Sequence, residues 1–520
     1  NEVSRRNFLK TAALAGAGLS LAGALSACAP KSASGESAGV GGNMTGASGD
    51  VKWTKEADVV VVGFGGAGAA AAIEAKKAGA EVIVLEMNEA GGGSTIANGG
   101  FIMMGGTDLQ KKFGLEDSIE NFYNYLSAAA GENANKEAIR LICDTSPELY
   151  RWCVECGMDF ESGVADTVHH LGGYNAGTSL GYSGNEMAYD YRTVATPAPR
   201  GHMPQPSSSG KDMFLPLQKK VEELGIEVIY GTPGSYLLND ASGRITGIAG
   251  DGKDGEVFVK ARKGVVLTCG GFVDNPDMLN AFYPYANKRG TALTTAGSED
   301  GSGILMGMAV GAATQGMGCF QIGCTIVTNA EPLAKGVLVS EKGCRIVAED
   351  EYNSFIGKAI IQAPTSNCYL IIGDAALKEA AGARLGEPVF SAGSVGEIAE
   401  KIGIDADTFK ANIAFYNESV GLGVDREYGK DPRFLEVLEQ GSLHVFKLGS
   451  ESCYTASCGG LKIDLDAHVL DNDGKAIAGL YSAGRNAGTI YGWYMGSGSS
   501  MADVLTFGRI AGQKAAAEQV

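Results

Sequence analysis

The sequence predicts an α/β fold whose best-defined part is a Rossmann-like βαβ unit near residue 60. Three consecutive patterns predict this unit: an apolar, β-branched run at Ala57–Val62, a glycine-rich turn with an alanine-rich helix to about Ala78, and a second apolar strand at Glu81–Leu85. Apolar β-branched runs are typical of strands buried in a parallel sheet. With 520 residues, of which 45% are hydrophobic and 20% charged, the chain is long enough for two or more globular units.

Glycine is unusually frequent, at 77 of the 520 residues, about twice the usual ~7%. Because the apolar content is too high for low-complexity disorder, these glycines need a structural explanation. Acidic residues outnumber basic ones by 60 to 42, which gives a formal net charge of −18. This charge argues against nucleic acid or an anionic lipid surface as the main partner.

Residues 1–28 are typical of an export signal rather than of a basic amphipathic helix. Ser4–Lys10 matches the twin-arginine pattern, and a weakly apolar stretch follows it. Leu25–Cys28 is similar to a bacterial lipoprotein cleavage box, although ordinary Ala-rich cleavage sites look alike. We therefore expect twin-arginine export to the cell surface or periplasm, with a lipid anchor at Cys28. Residues 29–50 are rich in Gly, Ser and Ala and predict a flexible linker.

The glycine-rich turn has the spacing of a dinucleotide-binding loop. Gly63 permits the tight turn, Gly65 lets the backbone approach a pyrophosphate, and Gly68 allows the helix and strand to pack closely. The helix N-terminus adds a partial positive charge for the phosphates. Glu86 ends the second strand, where a carboxylate accepts hydrogen bonds from ribose hydroxyls. A second glycine cluster follows at residues 91–100, where a nicotinamide enzyme would continue into another helix.

This combination resembles the fumarate reductase/succinate dehydrogenase flavoprotein superfamily from residue 51 to the end. Further motifs follow in the family's order: Cys269–Phe272 after a strand at 264–268, Glu299–Gly301, Gly479–Gly484 and a helical tail from Met501. The resemblance implies non-covalently bound FAD, with the second glycine cluster along the isoalloxazine ring. The implied cofactor contacts are Gly63, Gly65, Gly66, Ala67, Gly68, Glu86, Gly92, Gly93, Ser94, Thr95, Gly99, Gly100, Pro233, Cys269, Gly270, Asp300, Gly484, Arg485, Ser499, Ser500 and Met501.

The family's layout also implies the domain organisation. We expect a Rossmann-like FAD-binding domain of the glutathione-reductase type at residues 51–317 and 457–520. An α+β capping, or clamp, domain would be inserted at residues 318–456. The substrate would then be enclosed at the interface between the two, where ligand pockets are common.

The residues that hold a dicarboxylate in fumarate reductases are missing. Those enzymes use paired histidines and arginines, because two carboxylates in a closed site need fixed cations. The family's Gln-Ile-His-Pro stretch is Gln321–Cys324 here, and its histidine segment before a Gly-Gly pair is Thr455–Gly460. Met495 stands in place of the last family arginine. The resemblance therefore disfavours fumarate, and arylacrylates such as urocanate for the same reason.

Tyr494–Gly498 is instead similar to the Tyr-x-Gly-x-Gly segment of 3-ketosteroid dehydrogenases, which belong to the same superfamily. There the Tyr hydroxyl and the amide of the last Gly bind the substrate ketone, which implies Tyr494 and Gly498 as catalytic residues. Tyr352 follows the motif Gly343–Glu349 and matches, within one residue, a further active-site tyrosine that could transfer the second proton. In the alternative interpretations Tyr494 is an interior aromatic residue and Tyr352 lies at the pocket rim.

The resemblance implies an oxidoreductase that acts on a C=C bond conjugated to a carbonyl in a bulky neutral substrate. Ketosteroids, steroid lactones and other enones belong to this class. Export favours reduction, with hydride from flavin N5 to the β-carbon and a proton from a tyrosine, and with electrons from a membrane quinol or cytochrome donor. The alternatives are a 3-ketosteroid dehydrogenase in the oxidative direction, a fumarate- or acrylate-type reductase, and a non-catalytic flavin electron-transfer protein.

Three further patterns, two of cysteines and one of acidic residues, have simple structural interpretations. The close pair Cys153 and Cys156 predicts packing on a helix, with a redox or metal role as the alternative, and we predict no metal site. The spacing of Cys319, Cys324 and Cys344 does not demand an iron–sulfur cluster. The acidic run Glu349–Glu351 predicts a solvated loop.

Overall fold

The structure is a computed structural model. It describes residues 45–47, 51–165, 178–285, 292–293, 296–324, 326, 330–365, 367–381, 385–438, 440–490 and 492–520. The export signal, Cys28 and most of the linker therefore lie outside the described residues. Within the described part of the chain, no helix is both long and apolar enough to span a membrane.

The secondary structure alternates strands and helices. The strands are β1 (Thr45–Ala47), β2 (Lys55–Val62), β3 (Val82–Leu85), β4 (Ile102–Met103), β5 (Gly163–Val164), β6 (Thr178–Gly181), β7 (Gly201–His202), β8 (Glu227–Ile229), β9 (Gly234–Asn239), β10 (Ile245–Gly252), β11 (Gly255–Leu267), β12 (Ala292–Leu293), β13 (Thr314–Gln315), β14 (Phe320–Cys324), β15 (Val337–Ser340), β16 (Cys368–Gly373), β17 (Phe390–Ser394), β18 (Gln440–Leu448), β19 (Cys453–Ser457), β20 (Gly460–Leu461), β21 (His468–Leu470) and β22 (Ala476–Ser482). The α-helices are α1 (Gly66–Lys77), α2 (Gly93–Ile96), α3 (Asp108–Lys112), α4 (Ile119–Ala130), α5 (Lys136–Glu155), α6 (Tyr189–Arg192), α7 (Gly210–Glu223), α8 (Pro276–Phe282), α9 (Ser302–Ala309), α10 (Asn353–Gln362), α11 (Asp374–Glu379), α12 (Val395–Ile402), α13 (Ala406–Leu422) and α14 (Ser499–Ala517).

A nine-stranded sheet forms the centre of the molecule, in the order β1-β9-β10-β11-β2-β3-β8, with β22 paired to β11 and β21 to β22. The strands β8, β3, β2, the second half of β11, and β22 run parallel. Val59–Val62 of β2 are buried on both faces, as the run of valines predicts. Because all five strands end at one edge of the sheet, the segments that follow them converge there.

Helix α14 packs along α1 on one face of this sheet. Both helices are built from small residues: α1 is rich in Ala, and α14 presents Gly508 and Gly512 to it. A Cβ at Gly512 would lie 2.1 Å from the carbonyl oxygen of Ala71, and one at Gly508 would lie 2.7 Å from that of Ala67. The two helices are therefore in backbone contact, which fixes the position of α14 relative to the central sheet.

A four-stranded antiparallel sheet, in the order β15-β16-β18-β17, lies within residues 337–448. The short antiparallel ladder β14–β19 precedes and follows this segment in the chain, with Cys324 opposite Cys453. These strands fall in the region that we predict to be the capping domain. The boundaries of that domain, 318 and 456, stay a prediction.

The acidic run Glu349–Glu351 is not a solvated loop, so that prediction is wrong. Glu349 is fully buried because Arg345 and Lys430 pair with it, at 2.7 and 2.9 Å, and Asp425 completes the group by pairing with Arg345. Asp350 is buried as well and accepts a hydrogen bond from a backbone amide. The charges of Arg345 and Lys430 hold the pKa of Glu349 below its usual range even though burial acts to raise it.

The packing of α1 against α14 yields a stability prediction. We expect Gly512→Ala to lower the free energy of unfolding by about 1–3 kcal/mol, because the added methyl group meets backbone that cannot move aside. The matched control is Gly421→Ala in α13, where a Cβ has open space around it. That substitution should leave stability unchanged or raise it by up to about 1 kcal/mol. Thermal or urea unfolding of both variants tests this, and equal effects would contradict the proposed backbone contact.

Candidate functional site

A cavity of about 480 Å³ lies at the carboxyl edge of the parallel strands. It is lined by the segments that follow β2, β3, β11 and β22, as expected where parallel strands end. The sequence-predicted residues that line it are Gly63, Gly65, Gly66, Ala67, Glu86, Gly93, Ser94, Thr95, Gly99, Pro233, Cys269, Gly270, Gly484, Arg485, Ser500, Met501, Tyr494 and Gly498. Residues far apart in the sequence are thus brought to one cavity.

Six predicted site residues lie outside this lining: Gly68, Gly92, Gly100, Asp300, Ser499 and Tyr352. Gly68 has the packing role expected of it, since a Cβ there would lie 1.9 Å from the carbonyl oxygen of Gly63. Asp300 accepts a hydrogen bond from the Ser302 amide at the start of α9. The Ser499 hydroxyl donates to the carbonyl of Gly496. Tyr352 is almost fully buried behind the cavity wall.

The turn between β2 and α1 forms a cradle of backbone at the cavity. Gly63 has a φ of +100°, and a Cβ there would lie 2.6 Å from the Thr268 carbonyl oxygen, so only glycine fits. The Gly66 amide donates to Thr95 Oγ1 at 3.0 Å, which ties the helix to the second glycine cluster. A Cβ at Gly93 would meet no atom within 4 Å, so this backbone faces open space. The N-terminus of α1 also faces the cavity and favours negative charge there.

Glu86 is held rigidly at the end of β3. Its carboxylate accepts hydrogen bonds from the amides of Phe64 and Asn88, at 2.7 and 2.8 Å, and it is only 4% exposed. Asn88 Nδ2 also donates to Oε1, at 3.0 Å, so Oε1 accepts two hydrogen bonds and Oε2 accepts one. Oε2 therefore keeps a lone pair that can accept a hydrogen bond from a ligand in the cavity.

The other end of the cavity is formed by the segment before α14. Tyr494 and Gly498 line it together with Ser497, and Gly498 adopts a left-handed conformation with a φ of +87°. The ring of Tyr352 stacks on that of Tyr494, with centroids 6.3 Å apart and planes 17° apart. The Tyr352 hydroxyl and Ser497 Oγ are 3.0 Å apart and share a hydrogen bond. Burial raises the pKa of both phenols, so both stay protonated at neutral pH.

Sequence reasoning missed a polar group on the β14–β19 wall of the cavity. The Tyr454 hydroxyl donates to Asn353 Oδ1 and accepts a hydrogen bond from Gln321 Nε2, both at 3.3 Å, and all three residues line the cavity. The ring of Tyr454 occupies the space beside Gly323, where a Cβ would lie 2.1 Å from the ring carbon Cζ. No local sequence signal indicates this contact, because it depends on the pairing of two distant strands.

Comparison with known proteins identifies the family. Residues 58–501 match the family model described as FAD binding domain. The chain belongs to this flavoprotein family. Residues 2–22 match the TAT (twin-arginine translocation) pathway signal sequence, so this flavoprotein is an exported FAD-dependent oxidoreductase.

Three relatives show how the flavoprotein compares in sequence and fold. It is 28% identical to digoxin reductase from Eggerthella lenta over 582 aligned positions, which cover 99% of this chain and 97% of that protein. It is also 29% identical to NADH:fumarate oxidoreductase from Klebsiella pneumoniae. That alignment has 473 residues and covers 89% of this chain. The chain spans about half, 48%, of the length of that second relative.

The crystal structure of 3-ketosteroid-Δ4-(5α)-dehydrogenase from Rhodococcus jostii RHA1, in complex with 4-androstene-3,17-dione, matches this fold with a TM-score of 0.85. The two chains are 34% identical, and the match covers 91% of this chain and 99% of that one. The predicted α/β class with an FAD-binding fold is therefore confirmed.

The cavity fits the FAD of this family. The backbone cradle at Gly65 and Gly66, at the N-terminus of α1, suits a pyrophosphate. Glu86 has the acceptor chemistry for ribose hydroxyls. The N-terminus of α14, with Ser500 and Met501 in the lining, favours the negative charge that a flavin ring gains on reduction. The role of each predicted contact residue stays a prediction.

The buried carboxyl of Asp503, in α14, should make the free energy of unfolding depend on pH. Burial raises the pKa of this carboxyl to about 7 from an ordinary value of 3.8. Because the folded chain holds the neutral form, the contribution of Asp503 to stability is greatest at low pH and falls as the pH rises from about 4 through 7. We expect Asp503→Asn to abolish this loss, so that between pH 5 and pH 8 the variant loses roughly 2–3 kcal/mol less stability than the wild type.

Thermal unfolding of both proteins at the two pH values measures this difference. The matched control is Asp254→Asn in the exposed turn between β10 and β11, which should follow the wild type at both pH values. Parallel curves for Asp503→Asn and the wild type would show that the Asp503 carboxyl is not protonated in the folded chain.

Proposed function

We propose that this flavoprotein reduces a C=C bond conjugated to a carbonyl in a bulky neutral substrate, such as a ketosteroid, a steroid lactone or another enone. The observation that carries the proposal is the segment Tyr494–Gly498, which places a phenol, a serine hydroxyl and a glycine backbone in one wall of the cavity. Its support among relatives is the 34% identical ketosteroid dehydrogenase whose structure holds 4-androstene-3,17-dione.

In this proposal, Tyr494 and Gly498 hold the carbonyl oxygen. The Tyr494 hydroxyl and the Gly498 amide act as two donors that converge on one oxygen and stabilise the enolate that develops there. The buried tyrosine stays protonated, as a donor must. The left-handed conformation of Gly498 turns the chain into α14 at this point, and a Cβ at this residue would lie 2.6 Å from the Met103 amide nitrogen.

Tyr352 supplies the second proton through Ser497 rather than by direct contact. Ser497 lines the cavity, whereas Tyr352 lies behind it and is only 1% exposed. Ser497 Oγ can pass its proton to the α-carbon and take one from the Tyr352 hydroxyl, 3.0 Å away. When bound, FAD supplies the hydride for the β-carbon.

The charges around the cavity favour a neutral substrate over a dicarboxylate. Among the described lining residues, Arg485 is the only cation, and it donates to the Ser457 carbonyl oxygen at 2.5 Å. Arg345 is paired with Glu349 and Asp425 and lies outside the cavity lining, so it brings no charge to the site. The space beside Gly323, where the family has histidine, is occupied by the ring of Tyr454.

Because the protein is exported, the electrons that reduce its flavin must come from a donor outside the cytoplasm. Outside the cytoplasm there is no nicotinamide pool, so we propose a membrane quinol or cytochrome donor. A lipid anchor at Cys28 would keep the protein near such a donor. Both partners are part of the proposal and rest on the export signal.

A substrate comparison tests the function. Photoreduced protein is mixed with 4-androstene-3,17-dione or with fumarate, and flavin reoxidation is followed by absorbance. We expect rapid reoxidation by the enone and little by fumarate.

Tyr494→Phe should slow the enone reaction about 10²–10³-fold, as loss of one oxyanion donor does. Tyr236→Phe is the matched control, since that hydroxyl donates to Glu256 at 2.9 Å and Tyr236 lies outside the cavity lining. Equal rates with fumarate, or full activity of Tyr494→Phe, would overturn the assignment.

A second substitution tests the proton route. Ser497→Ala should lower the rate of enone reduction by about 10²–10⁴-fold, because Tyr352 can no longer reach the substrate. FAD content and the rate of photoreduction should stay those of the wild type. Ser235→Ala, which removes an exposed hydroxyl bonded to Asp251, provides the control. Wild-type turnover by Ser497→Ala would exclude the serine from proton transfer.

The oxidative direction is a second candidate, favoured by the name of the Rhodococcus relative, a dehydrogenase. The same residues would then remove the α-proton through Ser497 only when Tyr352 is a phenolate, the form that its burial disfavours. Anaerobic assays with a reduced viologen and aerobic assays with a dye acceptor separate the two directions. Faster turnover with the dye would establish dehydrogenation as the preferred reaction.

A further inference from the structure

The β14–β19 ladder carries two pairs of cysteines, one at each end. Cys324 and Cys453 are direct cross-strand partners at one end of the ladder. At the other end the ladder continues by one step, and the Cys458 amide donates to the Cys319 carbonyl oxygen at 2.9 Å. Opposed residues in antiparallel ladders have Cα atoms about 4.5–5.5 Å apart, within the range that a disulfide bond spans.

The two pairs have different surroundings. Cys458 Sγ lies 3.6 Å from Arg485 Nη1, and Arg485 itself lines the cavity. Cys319 is partly exposed and packs with Cys458, Tyr352 and Tyr494 in one cluster. Cys324 and Cys453 are instead buried among aliphatic residues of β14, α10 and β16.

These surroundings give the thiols different pKa values and therefore different reactivities. Although burial acts to raise it, the hydrogen bond from Cys319 and the charge of Arg485 lower the pKa of Cys458 to about 7. The hydrogen bond to Cys458 and burial raise the pKa of the Cys319 thiol. These contacts favour a thiolate at Cys458 next to a thiol at Cys319, the arrangement that a resolving cysteine needs. In the Cys324–Cys453 pair the hydrogen bond to Cys324 and burial raise the pKa of Cys453.

We propose that Cys458 and Cys319 form a peroxide-reactive dithiol next to the cavity residues Arg485 and Tyr494, with Cys458 as the attacking residue and Cys319 as the resolving one. The Cys458 thiolate attacks one oxygen of hydrogen peroxide, and the departing hydroxide takes a proton to leave as water. This converts Cys458 to a sulfenic acid. The Cys319 thiol then attacks that sulfur, its proton leaves with the hydroxyl group as a second water, and a disulfide remains. Two electrons pass from the two thiols to one peroxide.

The twin-arginine signal indicates the cellular compartment in which this dithiol would react. The protein functions outside the cytoplasm, where thiols are not kept reduced by the cytosolic systems. A cross-link at 319 and 458 would lie directly against Tyr494, at the wall where we propose that the substrate carbonyl binds. The dithiol itself does not depend on the proposed substrate, and its test does not measure turnover.

The experiment treats the FAD-loaded protein with hydrogen peroxide at pH 7.5, followed by alkylation of free thiols and peptide mass spectrometry. We expect the Cys319–Cys458 disulfide to form at least tenfold faster than any link between Cys324 and Cys453, which serve as the matched pair on the same ladder. Formation should slow about eightfold at pH 6, because with a pKa of about 7 the thiolate fraction of Cys458 falls from about three quarters at pH 7.5 to about one tenth at pH 6. Equal oxidation of both pairs, or of neither, would overturn the proposal.

Two variants assign the roles within the pair. In Cys319→Ser the reaction should stop at the sulfenic acid, which dimedone traps on Cys458 as a defined mass increase. In Cys458→Ser, Cys319 should remain a free thiol under the same conditions. Dimedone labelling of Cys319 in Cys458→Ser, or its absence from Cys458 in Cys319→Ser, would contradict the assignment. Absorbance of bound FAD confirms that each variant is folded.

Discussion

The backbone of Gly68 lies so close to the carbonyl oxygen of Gly63 that no side chain fits between them, and this contact sets the position of α1. A Cβ at Gly68 would lie only 1.9 Å from that oxygen. Helix α1 in turn positions α14, because Gly508 and Gly512 bring the two helices into backbone contact. The segment Tyr494–Gly498 leads directly into α14. One close approach near the start of the fold thus determines where the far end of the chain enters the cavity.

The elements around this contact were predictable because their signals are local. The strand expected at Ala57–Val62 is β2, the helix expected to about Ala78 ends at Lys77, and the tail predicted from Met501 is α14. Periodicity, glycine spacing and an acidic residue at a strand end each act over a few residues. The same locality explains why most predicted cofactor residues line one cavity: each follows a parallel strand, and parallel strands end at one edge.

The features that were not predicted depend on pairings between distant segments. A single sequence does not encode such pairings in any local pattern. Tyr454 reaches the cavity only because β19 pairs with β14 and Gly323 leaves space for its ring. The burial of Glu349 follows from Lys430, which is 81 residues away in the chain and pairs with it. Read alone, an acidic run predicts a solvated loop, because the sequence does not show which distant cation will pair with it. In the folded protein Lys430 is that cation. Tyr352 is likewise separated from the cavity by Ser497, a contact across 145 residues.

The ladder β14–β19 also determines how the polypeptide is assembled. The chain leaves the ladder at Cys324 and returns to it at Cys453, and these two residues face each other. Residues 325–452 therefore begin and end at neighbouring points, as inserted units commonly do. A short β-turn could in principle join the two strands directly, since antiparallel partners need only two residues to connect them. The enclosed segment is thus topologically a large hairpin loop, which could be exchanged or excised without rethreading any strand of the central sheet.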